Sequence, residues 1–169
     1  MPAAAPQKIS IALASDDNYA RYLATAMASV LKTAAANEEI DFYILDGGLK
    51  AESKQKLARL QKIKPSTITY LSVDEKLFKD CPPLACGAHT NVVTYFRFLL
   101  GDLLPQVDKI LYIDTDIVAT QPLGGLWKVK LENHYAAAVE DLWEHIATYK
   151  GQMGFAPTDK YFNAGVILF

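Results

Sequence analysis

Two carboxylates one residue apart, Asp114 and Asp116, stand directly after the apolar run Ile110-Leu111-Tyr112-Ile113. Alternate residues at a strand terminus can point to one side, so the pair can offer oxygen ligands to one hard divalent cation. The free positions of such a cation take phosphate oxygens, and Asp114-Thr115-Asp116 therefore points to metal-assisted chemistry on a phosphate-bearing substrate. Asp also ends strands as a turn former or a helix N-cap, and that is the structural alternative for either residue. Arg97 is the next candidate. It stands within Val92-Val93-Thr94-Tyr95-Phe96-Arg97-Phe98-Leu99-Leu100, a helix so apolar that it is expected to lie inside the fold. A buried guanidinium is costly unless paired, and its partner is either a structural carboxylate or a carboxylate or phosphate at the site.

The elements that must position these residues follow from hydrophobic period and turn chemistry. Residues 8–15 have strand character and run into Asp16-Asp17-Asn18-Tyr19, a group of capping residues that announces a helix. Tyr22, Leu23, Ala26, Met27, Val30 and Leu31 give that helix one buried stripe, down to about residue 36. The helix N-terminus makes the turn a natural place for a nucleotide. Asp16 and Asp17 would repel a phosphate there, so the turn is expected to hold the base or ribose.

A second strand over residues 39–46 stops at Gly47-Gly48, a helix over about 50–63 ends at Pro65, and a third strand spans 66–73. This alternation predicts an open, mostly parallel sheet with right-handed crossovers, and such sheets place ligands beyond the carboxyl ends of their strands. After the two aspartates, residues 121–127 read as a turn and a single helical turn. Residues 135–140 form a strand of small side chains that ends in Asp141. Residues 151–160 read as a loop, and 161–169 as a last strand. A buried strand at the end of a chain needs a partner for its backbone, which suggests either a further segment or an oligomer that covers it.

The 169 residues are 51% hydrophobic and 21% charged, with a net charge of -2, which fits one globular domain with a sizeable core. No Lys/Arg cluster is interleaved with aromatics, so a nucleic-acid surface is not expected. Cys81, Cys86 and His89 share a Pro-rich loop, but they fall short of the four ligands of a structural zinc site; reduced thiols and a cytoplasmic location are expected. Residues 1–7 read as a disordered lead-in without signal-peptide character, and no apolar run approaches the length of a membrane span.

Four motifs in order resemble the family 8 retaining glycosyltransferases of GT-A fold, in particular the bacterial lipopolysaccharide galactosyl- and glucosyltransferases. They are Ala14-Ser15-Asp16-Asp17-Asn18-Tyr19, Thr94-Tyr95-Phe96-Arg97, Leu111-Tyr112-Ile113-Asp114-Thr115-Asp116 and Tyr161-Phe162-Asn163-Ala164-Gly165-Val166. The resemblance implies an α/β, Rossmann-like nucleotide-diphospho-sugar transferase domain over residues 8–169. It also implies transfer of a hexose from UDP-galactose or UDP-glucose to a saccharide acceptor, with retention, using Mn2+ or Mg2+. By the same resemblance Ala14, Asp16 and Asn18 contact uridine, Tyr19 and His89 lie on the acceptor side, and Arg97 meets the donor sugar or its phosphates. Asp114 and Asp116 are the metal ligands, with Thr115 between them in the nucleotide site, and Asp141, Asn163 and Ala164 wall the sugar. The family's further metal ligand, a His, comes from beyond Phe169, as does any peripheral contact with the inner face of the membrane.

Two alternatives remain at this level. A haloacid-dehalogenase-like phosphatase also places Asp-x-Asp after an apolar strand, with the first Asp as nucleophile, but near the start of its domain. A UDP-sugar-binding fragment without catalysis is the other.

Overall fold

The computed structural model describes residues 5–81, 92–142, 146–156 and 158–169. Six strands form one sheet in the order β3-β2-β1-β4-β6-β5. Strands β1 (Gln7–Ser15), β2 (Glu38–Asp46), β3 (Ser66–Ser72) and β4 (Leu111–Ile113) run parallel. Strand β6 (Phe162–Leu168) is antiparallel to both of its neighbours, β4 and β5 (Ala137–Glu140). The sheet is mixed and mostly parallel, as expected of a Rossmann-like α/β domain. Strand β1 begins at Gln7, within the stretch read as a lead-in, because Gln7 pairs with Glu38.

Strand β1 is central, with every residue from Ile9 to Ser15 buried, as a parallel strand covered on both faces must be. Its side chains alternate. Ile9, Ile11 and Leu13 share a core with Leu23, Met27 and Val30 of helix α1 (Ala20–Thr33). Ala12 and Ala14 point the other way, into a second core with Val93, Phe96 and Leu100. Strand β4 repeats the pattern, with Leu111 and Ile113 on the α1 face and Tyr112 on the opposite one. Two residues beyond Tyr112, the period of a strand directs Asp114 to the Tyr112 side. The fold thereby decides which layer the first aspartate meets.

That layer is a 3₁₀ helix over Val92–Leu99, continued by the single turn α3 (Leu100–Leu103). Val93, Phe96 and Arg97 are its buried residues, whereas Phe98 is 72% exposed, so the segment is one-sided and not apolar all round as the sequence suggested. Gly47 lets it approach: a Cβ there would lie 2.7 Å from Val93 Cγ2.

Helix α1 stops at Thr33, short of the expected residue 36, because Glu38 draws the chain into a turn. The buried Glu38 carboxylate accepts the Ala35 N–H at 3.0 Å and the Gly124 N–H at 2.9 Å. The second of these bonds fixes α4 (Gly124–Trp127), the expected single helical turn. The second helix divides into α2 (Ala51–Ala58) and a 3₁₀ turn, Arg59–Lys62. Helix α5 (Ile146–Gln152) reaches into the stretch expected to be a loop. Strand β6 is not an uncovered end strand. It lies between β4 and β5 and bonds to both, which removes the backbone reason for an external partner.

Asp17 joins the turn before α1 to the start of α2. Its carboxylate accepts the Lys50 N–H at 3.0 Å and the Ser53 hydroxyl at 2.6 Å, and pairs with Lys50 Nζ at 3.2 Å. These bonds, led by that from Ser53, lower its carboxyl to about 2. An acid depressed in this way stabilises the fold above its unfolded value of about 3.9, and the contribution is lost as pH falls through the folded value. Asp17→Asn is therefore expected to flatten the acid side of the stability profile between about pH 4 and 2 while leaving its shape near neutrality unchanged, as measured by urea denaturation at stepped pH.

Candidate active site

Strand β1 has β2 on one side and β4 on the other, so the crossovers diverge between β1 and β4. In an open α/β sheet a crevice forms at such a switch point, outside the carboxyl ends of the strands. A cleft of about 980 Å³ opens there. Ala14, Asp16 and Tyr19 line it from the end of β1, and Asp114, Thr115 and Asp116 from the end of β4. Arg97 closes its floor, and Asp141, Asn163 and Ala164 form the wall contributed by β5 and β6. The site residues expected from sequence thus converge, with two exceptions. Asn18 does not line the cleft; its amide donates to Asp16 Oδ2 at 3.2 Å. His89 and Cys86 lie outside the described residues.

The centre of the cleft is a hydrogen-bonded group around Asp114. Arg97 is only 6% exposed. Its guanidinium donates from Nε to the Thr94 carbonyl at 2.9 Å, from Nη1 to the Ala164 carbonyl, and from Nη2 to Asp114 Oδ1 at 3.1 Å. It also lies over the Tyr112 ring, 4.4 Å from the centroid. The Tyr112 hydroxyl donates to the same Asp114 Oδ1 at 2.9 Å. Burial pushes the Tyr112 hydroxyl up, helped by the Asp114 charge, so it remains a donor. Burial also raises the Asp114 carboxyl, while Arg97 and the Tyr112 bond oppose the shift and the charge of Asp116 adds to it. A cation placed between the two aspartates would relieve both burial and mutual repulsion.

Asp114 is a third exposed, at 34% of its side chain, and Asp116 is exposed. Two hard oxygen donors at an open cleft suit Mg2+ or Mn2+, which take one or two carboxylates and complete their shells with substrate oxygens. Among the described residues no group of three or more His, Cys, Asp or Glu side chains is arranged to hold a metal. The donor set fits a cation that relies on the substrate, or on further groups, for its remaining ligands.

At the mouth, Asp16 has a structural task as well as a place in the cleft: its Oδ1 accepts the Tyr19 N–H at 3.0 Å and shapes the turn into α1. Tyr19 is left 39% exposed. On the far wall Asn163 accepts the Gly165 N–H at 2.9 Å and donates to Asp141 Oδ2 at 3.3 Å. Tyr112 and Gly165 are the members sequence reasoning missed. The signal for Tyr112 was its place two residues before Asp114 on one strand face; Gly165 has no signal until β6 is paired with β4.

The model of the glycosyl transferase family 8 matches residues 10–169, nearly the whole chain. The chain belongs to glycosyl transferase family 8. Among solved structures, the chain is similar to the galactosyltransferase LgtC in complex with donor and acceptor sugar analogs. The match has a TM-score of 0.84 and 34% identity, over 95% of this chain and 57% of that one. It is also similar to glycosyltransferase GlyF of Streptococcus pneumoniae, 32% identical over 159 residues, which are 94% of this chain and 36% of that protein. General stress protein A of Bacillus subtilis is 29% identical over 156 residues, 91% of this chain and 53% of that protein. The chain therefore spans about a third to a half of the length of these two relatives.

Arg97 ties its own helix and β6 to the aspartate, and its loss leaves a carboxylate oxygen and two carbonyls short of a donor. Arg97→Met is expected to cost about 2–3 kcal/mol in urea denaturation, below the ~3–5 kcal/mol of a fully buried pair because Asp114 keeps some solvent. Arg97→Lys should recover little of this, since one ammonium cannot span the three acceptors of the guanidinium fork.

Proposed function

We propose that this domain binds a UDP-sugar, with UDP-galactose or UDP-glucose as donor, and serves the transfer of its hexose to a saccharide acceptor with retention at the anomeric carbon. The observation that carries the reading is the pair Asp114 and Asp116 at the switch point of the sheet, in a cleft of about 980 Å³. Family membership supports it, as does the likeness to a galactosyltransferase solved with donor and acceptor sugar analogs. Mn2+ or Mg2+, held by Asp114 and Asp116, would supply positive charge where the departing diphosphate becomes more negative.

The chain's own groups have separable parts in this reading. Asp114 and Asp116 bind on the sheet side of the diphosphate. Arg97 orients Asp114 and puts a fixed positive charge beneath the phosphates, with its N–H donors directed to Thr94, Ala164 and Asp114. Tyr19 offers an exposed ring face beside the end of β1, suited to a planar base or to the acceptor. Asp141, aligned by the Asn163 amide, presents a carboxylate to sugar hydroxyls. Phe98 of the 3₁₀ helix and Phe162 of β6 add apolar surface to the lining of the cleft.

The phosphatase alternative places its Asp-x-Asp near the start of the domain, whereas here three parallel strands precede the motif.

Calorimetric titration with UDP tests the reading. Binding is expected with Mn2+ and should fall steeply in EDTA. Asp116→Asn should weaken Mn2+-dependent binding by ~100-fold, the upper end of what loss of a mere supporting group costs. Equal affinity with and without the metal would remove the role assigned to the aspartates. Turnover of small phosphate esters, abolished by Asp114→Asn, would favour the phosphatase.

A further inference from the structure

The two oxygens of Asp114 are in different circumstances. Oδ1 accepts from the Tyr112 hydroxyl at 2.9 Å and from Arg97 Nη2 at 3.1 Å. No hydrogen bond to Oδ2 is made among the described residues. This oxygen faces Gly165 of β6, where a Cβ would stand 3.0 Å from it and 3.1 Å from Asn163 Oδ1. The backbones are bound together at this point, since the Asp114 N–H donates to the Gly165 carbonyl at 2.8 Å. The distance between Asp114 Oδ2 and any side chain at position 165 is therefore set by a strand register and cannot be relaxed by moving a loop.

We propose that Tyr112 and Gly165 are positioning residues that fix which oxygen of Asp114 is presented to the cleft. The Tyr112 hydroxyl, with Arg97, holds Oδ1 inward; the missing side chain at Gly165 keeps Oδ2 clear. The proposal rests on the reading that Asp114 and Asp116 bind a divalent cation.

The chemistry follows from ligand geometry. A carboxylate free to rotate presents either oxygen, or both, and loses conformational entropy when it binds a cation. One whose first oxygen is already held by two donors has lost that freedom on folding and meets the cation with a defined lone pair. Tyr112 suits this work better than a charged residue. It is buried, and its uncharged hydroxyl donates to Asp114 Oδ1, which orients the carboxylate without cancelling its charge. Arg97 alone would supply a donor but would also draw charge away from the oxygen it holds. On the other side, a methyl group at 165 would press on Oδ2 and on the Asn163 amide oxygen at once, so it would disturb the aspartate and the wall that faces Asp141.

The test is Mn2+ binding in the presence of UDP, followed by the electron paramagnetic resonance signal of free Mn2+, for the wild-type chain, Tyr112→Phe, Gly165→Ala, Asp114→Ala and Tyr112→Phe/Asp114→Ala. Tyr112→Phe keeps the ring over which Arg97 lies and removes only the hydroxyl. It is expected to weaken Mn2+ binding by ~10-fold or more, in the range of lost supporting hydrogen bonds at metal sites. Gly165→Ala should weaken it at least as much. In the Asp114→Ala background, Tyr112→Phe should have no further effect, a coupling that a general loss of stability would not produce. Thermal melts of each variant check that folded protein is compared. Unchanged Mn2+ affinity in Tyr112→Phe and Gly165→Ala, with a wild-type chain that binds Mn2+ normally, would overturn the positioning proposal and leave the metal reading standing. Equal losses from Tyr112→Phe with and without Asp114 would overturn it too. No Mn2+ binding by the wild-type chain would overturn both.

Discussion

A guanidinium shut away from water has to find acceptors, and in this protein that requirement organises the site. Arg97 satisfies it with the carbonyls of Thr94 and Ala164 and with Asp114, which belong respectively to its own helix, to β6 and to the turn after β4. An isolated charge at this depth would cost several kcal/mol. The 3₁₀ helix, β6 and the aspartate turn must therefore keep their relative places for the charge to be tolerated. Uncharged residues could have packed this layer at less risk. The retention of an arginine makes sense if the carboxylate it holds has work to do in the cleft.

The sheet makes the arrangement possible through two decisions. The parallel part puts the ends of β1 and β4 side by side, which creates the crevice and brings the Asp16 turn opposite the Asp114 turn. The antiparallel insertion of β6 beside β4 then brings Ala164 and Gly165 against the aspartates, with Ile113 paired to Val166. A fully parallel sheet would have put a crossover helix where this strand now supplies a carbonyl for Arg97 and a bare Cα beside Asp114 Oδ2. The site is thus built from a short set of contacts between segments far apart in sequence.

Much of this was legible in the sequence, for identifiable reasons. Strands β1 and β2 follow from apolar runs that end at Asp, β3 from the β-forming residues after Pro65, and α1 from its stripe of Leu23, Met27 and Val30. Asp114 and Asp116 were conspicuous because two carboxylates after a buried strand have few plausible structural uses. What could not be read were relationships set by pairing. The place of β6 between β4 and β5 depends on tertiary register, so the last strand looked uncovered when it is interior. The burial of Arg97 was anticipated, but not its three partners, two of which are backbone carbonyls with no sequence signature. The segment around it was read as apolar on all sides because exposed Phe98 cannot be told from core Phe96 by composition. Asn18 was placed at the uridine by the family resemblance, whereas its amide donates to Asp16.

A direct locator of a divalent cation would test the central proposal, that Asp114 and Asp116 bind one next to the Arg97–Asp114 pair. In a ¹⁵N spectrum of the arginine side chains, the buried Nε–H of Arg97 gives a probe next to Asp114. Adding Mn2+ with UDP should broaden that resonance selectively through the unpaired electrons of the metal and leave arginines at the far end of the sheet sharp, whereas in Asp116→Asn the Arg97 resonance should stay sharp as well. A sharp Arg97 resonance under conditions where UDP and Mn2+ are both bound would contradict the claim, for the cation would then lie elsewhere.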